Sequence, residues 1–377
     1  MLRVGLRCVV AVVGLLVAGQ GLAQSTARRI AQDTQPDTAV EQQSMPKAER
    51  PWHHVEPARA MMLLESLPTR RAGHRSAEDV AGLQRTETLV IEALTTLGYK
   101  PKTQDVPRPT RISMTTPADA PTPRNVWVDL PATVEQVDGR ANELLVMMAH
   151  IDAVPGSPGA DDNGTGVVAL LEMARLLKDR PRERTVRLLF TTMEETGLHG
   201  ARRHAMETIE PRVEAGEQTV VGAVSIEMLG YYSDEEGSQR SPLPPGMTDG
   251  TLDRGDFLAL VGIKRHQQFT QDLTQAMLES EPEAKVVTLD MFVVPPPDIM
   301  RSDHAEFIIR DWPGAMLTDT ANFRNPHYHR PSDTPETIDA RRFARAISQI
   351  VGATDLMANP TTWQAKQPAK ENDAAAR

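Results

Sequence analysis

The fold of this chain is decided by residues 144–162, LLVMMAHIDAVPGSPGADD. The first six residues are all apolar, which is typical of a parallel strand covered by helices on both faces. The strand ends in His150 and Asp152, and a loop rich in glycine and proline then carries Asp161 and Asp162. Imidazole and carboxylate groups are ligands that zinc accepts. The stretch therefore predicts an α/β sheet with a metal site where this strand ends.

Strands and helices alternate along most of the chain. The apolar runs predict strands at 125–130, 144–149, 186–192, 220–226, 257–261 and 314–318, and helices at 77–98, 167–177 and about 335–357. Asp162 or Asn163 is expected to cap the helix at 167–177. This alternation predicts the α/β class, as a three-layer sandwich whose mostly parallel, doubly wound mixed sheet is covered by helices on both faces.

The first 23 residues are typical of a signal peptide. They carry Arg3 and Arg7, then an apolar stretch at 8–19, then small residues before a cleavage site. The apolar stretch is shorter than the roughly 20 residues that span a bilayer. We therefore expect export to the periplasm or the medium, without stable membrane insertion.

The remaining organisation follows from composition. Residues 24–50 are polar and lack periodicity, so we expect a flexible leader. A single domain is predicted at 51–359, with a long surface loop at 233–254 rich in proline, glycine and charge, and a disordered tail at 360–377.

Charge and cysteine content exclude two classes of function. The formal net charge is −10, which makes nucleic acid an improbable partner. The single cysteine is Cys8, inside the predicted signal peptide, so the exported chain has no disulfide and no thiol nucleophile. The sequence does not indicate the oligomeric state.

Candidate metal ligands follow the ends of several predicted strands. In open α/β sheets, ligands bind beyond the carboxyl ends of the strands. The residues at or after such ends are His150, Glu194 and Glu195, Glu227, and His329. Because they follow different strands, we expect them to meet at one edge of the sheet.

Five motifs in this order resemble metallopeptidase family M28, a family of co-catalytic zinc aminopeptidases and carboxypeptidases. The motifs are HID at 150–152, GADDN at 159–163, EETGLHG at 194–200, SDH at 302–304 and YHRPSDT at 328–334. The resemblance covers roughly residues 80–357. It implies a zinc exopeptidase-like α/β fold.

The resemblance also implies a ligand set for two zinc ions. It assigns His150 and Glu227 to one ion, Glu195 and His329 to the other, and Asp161 as the carboxylate that bridges both. A water or hydroxide held between the ions would hydrolyse the peptide bond, with Glu194 as the general base. Neighbouring side chains of an extended chain point apart, so Glu195 is expected to face the metal and Glu194 the water.

Three further residues have supporting roles in this interpretation. Asp152 is expected to orient the imidazole of His150. The resemblance implies that Tyr328 donates a hydrogen bond to the oxyanion of the intermediate. Asp333 is a candidate acceptor for His329. His304 has two open interpretations, contact with substrate or a structural role.

Two features leave details of the chemistry open. Many members of the family have Asp where this chain has Glu227, and the longer side chain allows a divalent metal other than zinc at that position. Arg301 and Arg324 are candidates to bind a substrate carboxylate, which would suit a carboxypeptidase.

The favoured function is a metal-dependent exopeptidase, most consistent with an aminopeptidase acting on peptide or aminoacyl substrates. The alternatives are a carboxypeptidase, a glutaminyl cyclase-like acyltransferase with one zinc, and a non-catalytic binding module. A nucleotide-binding interpretation of GTGVVA at 164–169 fails, because Asp161 and Asp162 would stand beside the pyrophosphate.

Overall fold

The structure is a computed structural model that describes residues 51–134, 140–241 and 252–364. The predicted signal peptide and leader lie outside the described residues, as do residues 242–251 of the predicted surface loop and the tail from residue 365. Within the described ranges, no helix combines the length and apolar character needed to cross a membrane.

Eight strands form one mixed sheet. They are β1 Lys102–Asp105, β2 Arg124–Leu130, β3 Glu143–His150, β4 Thr185–Thr191, β5 Thr219–Glu227, β6 Leu258–Val261, β7 Val286–Leu289 and β8 Gly314–Thr318. The strand order is β1-β2-β4-β3-β5-β8-β6-β7. Strands β4, β3, β5 and β8 are parallel neighbours, whereas β2 runs antiparallel to β4 and β6 runs antiparallel to β8. The predicted α/β class with a mostly parallel mixed sheet is confirmed.

Helices cover both faces of the sheet. The α-helices of the described residues are α1 Pro57–Glu65, α2 Ala77–Thr96, α3 Thr110–Ser113, α4 Gly166–Leu177, α5 His199–His204, α6 Glu210–Glu214, α7 Gln267–Ser280, α8 Ala305–Ile308, α9 Ala340–Ala358 and α10 Pro360–Gln364. Helices α1, α2, α4, α7 and α9 share the larger apolar core with one face of the sheet. A smaller core on the other face includes residues near α6 and in α8.

The central strand β3 is buried on both sides, as its apolar run predicts. Leu145 and Met147 face the larger core, and Leu144 and Val146 face the smaller one. Alternate side chains of a strand point to opposite faces, so a strand covered twice must be apolar at every position. This burial on both faces fixes the position of the strand, and with it the position of its last residue, His150.

Several elements differ from the sequence prediction. Strands β1 and β7 lie at the two edges of the sheet and were not predicted. Helix α9 begins at Ala340 rather than near 335, because Asp339 accepts the backbone N–H groups of Arg341 and Arg342 and so caps it. The predicted disordered tail at 360–377 also differs at its start, where Pro360–Gln364 forms helix α10. Trp363 in α10 is buried and donates Nε1–H to Glu279 at 2.7 Å.

Phe190 of β4 is fully buried in the larger core. We expect Phe190→Ala to lower the free energy of unfolding by about 3–5 kcal/mol, because it removes a large apolar side chain and leaves a cavity. Chemical denaturation followed by circular dichroism measures this loss. The control is Met114→Ala, at an 82% exposed position, which should change stability by less than about 0.5 kcal/mol. Equal effects of the two changes would contradict the assigned core.

Candidate metal centre

The predicted ligands converge at the carboxyl edge of the sheet. His150 is the last residue of β3, and Glu227 is the last residue of the neighbouring strand β5. Glu194 and Glu195 follow β4, which lies on the other side of β3. His329 arrives from the loop after β8. The adjacency of these parallel strands therefore brings together residues that are far apart in sequence.

Two imidazoles and three carboxylates form the centre of the site. His150 Nε2 lies 3.0 Å from Glu227 Oε1 and 3.3 Å from Asp162 Oδ1. His329 Nε2 lies 3.0 Å from Asp162 Oδ2 and 3.2 Å from Glu195 Oε2. Asp162 thus divides its two oxygens between the two imidazoles, which is the arrangement that a bridging carboxylate requires.

Asp161, the carboxylate that the resemblance implied as the bridge, does not occupy this position. Its oxygens accept the backbone N–H of Gly230 and the side-chain amide of Asn325, each at 2.8 Å. The backbone at Asp162 leaves helical geometry, with φ −102 and ψ 92, and this turns the second carboxylate of the pair into the site. The prediction was wrong because the sequence offers two adjacent aspartates and no local signal that separates them.

Asn163, rather than Asp162, accepts a backbone N–H at the start of helix α4. Its Oδ1 accepts the N–H of Gly166 at 3.1 Å and that of Met228 at 3.2 Å. Its Nδ2 lies 2.8 Å from the carbonyl oxygen of Ile226. One side chain thereby joins the end of β5 to the start of α4 and leaves Asp162 free to face the two imidazoles.

Asp333 supports a different partner from the one predicted. Its carboxylate accepts the backbone N–H groups of Asp161 at 2.9 Å and Asp162 at 3.1 Å, not the imidazole of His329. These two hydrogen bonds hold the turn that presents Asp162. No pattern of side chains predicts these hydrogen bonds, because backbone amides are present at every position.

Asp152 also acts through backbone groups. Its carboxylate accepts the N–H of Glu194 at 3.2 Å and that of Glu195 at 3.3 Å. The Nδ1 of His150 lies 3.1 Å from the carbonyl oxygen of Asp152 and 3.8 Å from its carboxylate. The imidazole is therefore oriented by the backbone carbonyl, and the predicted role of the carboxylate is corrected to holding the glutamate pair.

The glutamate pair lies in a turn rather than on an extended chain. Met193 has a positive φ of 57, and the N–H groups of Gly197 and Leu198 both bond to the carbonyl oxygen of Glu194. In this turn, carboxylate oxygens of Glu194 and Glu195 lie within 4.8 Å of a ring nitrogen of His150. Both side chains thus face the cluster, which departs from the expectation that they point apart.

The close packing of these ionisable groups shifts their pKa values. Burial is the main reason that the pKa of Glu195 is raised to about 7, and the negative charge of Asp162 contributes to this increase. Burial and the charge of Glu227 raise the pKa of Glu194 well above its usual range. Burial lowers the pKa of His329, but its hydrogen bonds to Asp162 and Glu195 outweigh burial and raise it to about 10. The buried carboxylates repel one another, and a divalent cation would relieve that repulsion.

The donor set fits divalent metal ions. Two groups of three residues have ligand atoms within 4.8 Å of one another and share Asp162: His150, Asp162 and Glu227, and Asp162, Glu195 and His329. Oε1 of Glu195 is buried and has no hydrogen-bond donor among the described residues. A buried polar atom without a partner is unfavourable unless a ligand satisfies it. Nitrogen and oxygen donors of this kind suit zinc.

Tyr328 lies beside the cluster. Its ring stacks on the imidazole of His329, with centroids 3.8 Å apart and an interplanar angle of 20°. Burial raises the pKa of its phenol, which keeps the hydroxyl protonated and able to donate. The residue lines the same cavity as the candidate ligands.

A cavity of ≈ 420 Å³ opens next to the cluster. One end is lined by the acidic residues and His329. The apolar wall is formed by Leu252, Phe257, Ala259, Val261, Val287, Leu289, Phe292, Ile299, Met316 and Phe323. Such a cavity accommodates an apolar group bound next to the metal centre.

Two residues that the sequence left open are buried and are not part of the lining of this cavity. His304 is fully buried in the fold, and burial lowers its pKa to about 4, so its ring is neutral. Arg324 is buried against Phe257, with its guanidinium carbon 4.7 Å from the ring centroid. We assign structural roles to both. Arg301, by contrast, lines the cavity.

Two supporting residues were missed at the sequence level. Ser302 donates its hydroxyl to Glu227 Oε2 at 2.9 Å and so holds this ligand candidate. Arg71 is buried and donates to the carbonyl oxygens of Ile151 at 2.9 Å and Gly159 at 2.5 Å. Ser302 lies in the SDH motif, which pointed to its neighbourhood, whereas no sequence signal marks Arg71.

The sheet topology and the cluster together define an α/β protein with a candidate metal site at the carboxyl edge of its central strands. The sequence model of Peptidase family M28 matches residues 129–354, which is more than half of the chain. The chain therefore belongs to peptidase family M28, and the family predicted from the five motifs is confirmed.

Comparisons with individual proteins agree with this membership. The Escherichia coli (strain K12) protein YfbL is 30% identical over 292 residues, which cover 74% of this chain and 81% of YfbL. The fold is similar to that of BSAP, a zinc aminopeptidase from Bacillus subtilis, with a TM-score of 0.59, 16% identity, and coverage of 81% of this chain and 96% of that one. It is also similar to a glutaminyl cyclase from Fimbriiglobus ruber, with a TM-score of 0.56, 16% identity, and coverage of 80% and 96%.

Proposed function

We propose that this protein is an aminopeptidase that uses two zinc ions. The observation that carries the proposal is the position of Asp162, whose two oxygens face two separate imidazoles at 3.3 and 3.0 Å. His150 and Glu227 would complete the ligands of one ion, and Glu195 and His329 those of the other. Membership of family M28 supports this assignment, and the fold is similar to that of a zinc aminopeptidase.

Each ion would have three protein ligands, which leaves a position for water or substrate and distinguishes a catalytic site from a closed structural one. When bound, the ions lower the pKa of a water molecule and polarise the carbonyl of the peptide bond. The residues of the chain then have to position the substrate and move protons.

Glu194 is the residue placed to move the proton. It lies beside the candidate ligand Glu195 and lines the cavity, yet it belongs to neither group of three that shares Asp162. In the proposed reaction it accepts a proton from the attacking water and donates it to the nitrogen of the leaving amine. The carboxylate of Asp152 accepts the backbone N–H of Glu194 at 3.2 Å and so supports the position of this base.

Tyr328 is proposed to stabilise the developing negative charge on the carbonyl oxygen. Its stacking on His329 fixes the ring next to the cluster, and its protonated hydroxyl is a hydrogen-bond donor. A donor held in advance at the place where charge develops costs no rearrangement during the reaction.

The alternative functions have less support. A cyclase that uses one zinc needs only one of the two ligand groups, whereas this chain has two groups that share Asp162. A binding module that has lost catalysis would lack ligands or the general base, and all of these residues are present at the cluster. The likeness to a glutaminyl cyclase extends to the fold alone.

The function is tested with the purified protein, zinc and peptide substrates. We expect cleavage of peptides with a free amino terminus and an apolar first residue, such as Leu-Gly-Gly, and no cleavage of their N-acetyl forms. A chelator should abolish the activity, and zinc should restore it with two ions bound per chain. Cyclisation of peptides that begin with glutamine, or no turnover with two zinc ions bound, would contradict the proposal.

A further inference from the structure

Two arginines stand at the rim of the cavity. Arg301 and Arg240 both line it, in contrast to the acidic residues at its metal end. The guanidinium carbon of Arg301 lies 5.9 Å from the ring centroid of Tyr328, and that ring stacks on His329. Arg301 and the candidate metal ligand His329 therefore both lie next to the ring of Tyr328.

Both guanidinium groups are held by the same neutral residue. Arg301 Nη2 donates to Oδ1 of Asn322 at 2.8 Å, and Arg240 Nη2 donates to the carbonyl oxygen of Asn322. These acceptors orient the two side chains without cancelling their charge. Each guanidinium has five N–H donors, so several remain for a ligand.

The described acidic neighbour of Arg301 is Asp298, whose Oδ1 lies 3.5 Å from Nη1. Both side chains of this pair are exposed, at 39% and 51%. An exposed ion pair at this distance contributes little, since water screens it and both side chains are free to move. A carboxylate that binds the guanidinium through two parallel hydrogen bonds would compete with it.

The geometry limits which carboxylate such a site can receive. One residue of extended chain spans at most about 3.3–3.6 Å. The terminal carboxylate of a residue that directly follows the cleaved bond must therefore be bound close to the metal centre. Arg301, whose guanidinium lies next to the ring that stacks on His329, meets this requirement.

We propose that Arg301, together with Arg240, binds the free α-carboxylate of the residue that follows the cleaved bond. The preferred substrates are then dipeptides, bound by the metal centre at one end and by the arginine pair at the other. This inference rests on the proposed peptidase function. The planar guanidinium suits a carboxylate better than an ammonium group does, because it donates two parallel hydrogen bonds.

The test compares Leu-Leu with Leu-Leu-amide, which lacks only the terminal charge. We expect the zinc-loaded wild type to cleave Leu-Leu with a kcat/KM about 10- to 100-fold higher, the range expected for hydrogen bonds to a charged group. Arg301→Gln should remove most of this preference, mainly by raising KM for Leu-Leu. Arg301→Lys should restore part of it, and Arg240→Gln should show a smaller loss.

Arg345→Gln is the matched control, because Arg345 is an exposed arginine of α9 outside the cavity lining. It should keep the preference of the wild type. Equal losses for both substrates in Arg301→Gln would show a structural role and overturn the inference, as would a wild type that does not distinguish them. A preference for Leu-Asp-amide over Leu-Leu would assign the arginines to an acidic side chain instead. If neither Leu-Leu nor its amide is cleaved by the zinc-loaded protein, the proposed function fails as well.

Discussion

Glu194→Gln should lower kcat by about 10²- to 10⁴-fold, the contribution typical of a positioned general acid or base. The amide keeps the shape of the side chain but cannot accept the proton of the attacking water. Because Glu194 lies outside both groups of three that share Asp162, the variant should still bind two zinc ions. Turnover of an unblocked peptide and metal content by mass spectrometry measure the two expectations.

Glu92→Gln, an exposed glutamate of α2, makes the same chemical change away from the site and should leave kcat unaltered. Undiminished turnover in Glu194→Gln would rule out its role as the base. Loss of an ion in that variant would place Glu194 among the ligands instead. These two failures are distinguishable, because only the second changes the metal content.

Asp162→Asn should weaken metal binding at both positions, whereas Asp161→Asn should leave two ions bound. Mutation of a residue that only supports a metal ligand changes metal affinity by about 10- to 100-fold. Loss of a ligand shared by both ions should therefore have a larger effect. Competition with a zinc chelator measures the affinity of each variant. The neighbouring substitution is the matched control, since it makes the same chemical change in the same turn.

The opposite result, with ions lost from Asp161→Asn and retained by Asp162→Asn, would restore the assignment that the sequence suggested. The unfolding midpoint of each variant must be measured beside the affinity. Asp161 accepts hydrogen bonds from Gly230 and Asn325, so Asp161→Asn should lower the midpoint while the metal content stays at two.

The central part of the fold was predictable because its strands are buried on both faces. Strand β3, for example, is apolar from Leu144 to Ala149, and its neighbours β4 and β5 are apolar at most positions. The edge strand β1 has the sequence KTQD, is mostly exposed and carries no apolar pattern. Its pairing with β2 is a tertiary contact that cannot be predicted from the local sequence.

At the site, the sequence predicted which strand ends would meet but not which atoms would face each other. His150, Glu195, Glu227 and His329 lie at the cluster as expected. The choice between two adjacent aspartates depends on one backbone turn, and that turn depends on Asp333, which is distant in sequence. Hydrogen bonds to backbone amides leave no pattern in side-chain types, which is why the partners of Asp152 and Asp333 were misassigned.

The hydrogen bonds of Asp333 also bear on when the site forms. They join residues 172 and 171 positions apart, Asp161 and Asp162 on one side and Asp333 on the other. Contacts between segments so distant in sequence require most of the chain to be synthesised and folded. A chain that ends before residue 329 lacks one imidazole and the support of Asp162. The metal site is therefore completed late, only after residue 333 has been synthesised and its segment has packed against the turn at residues 161–162.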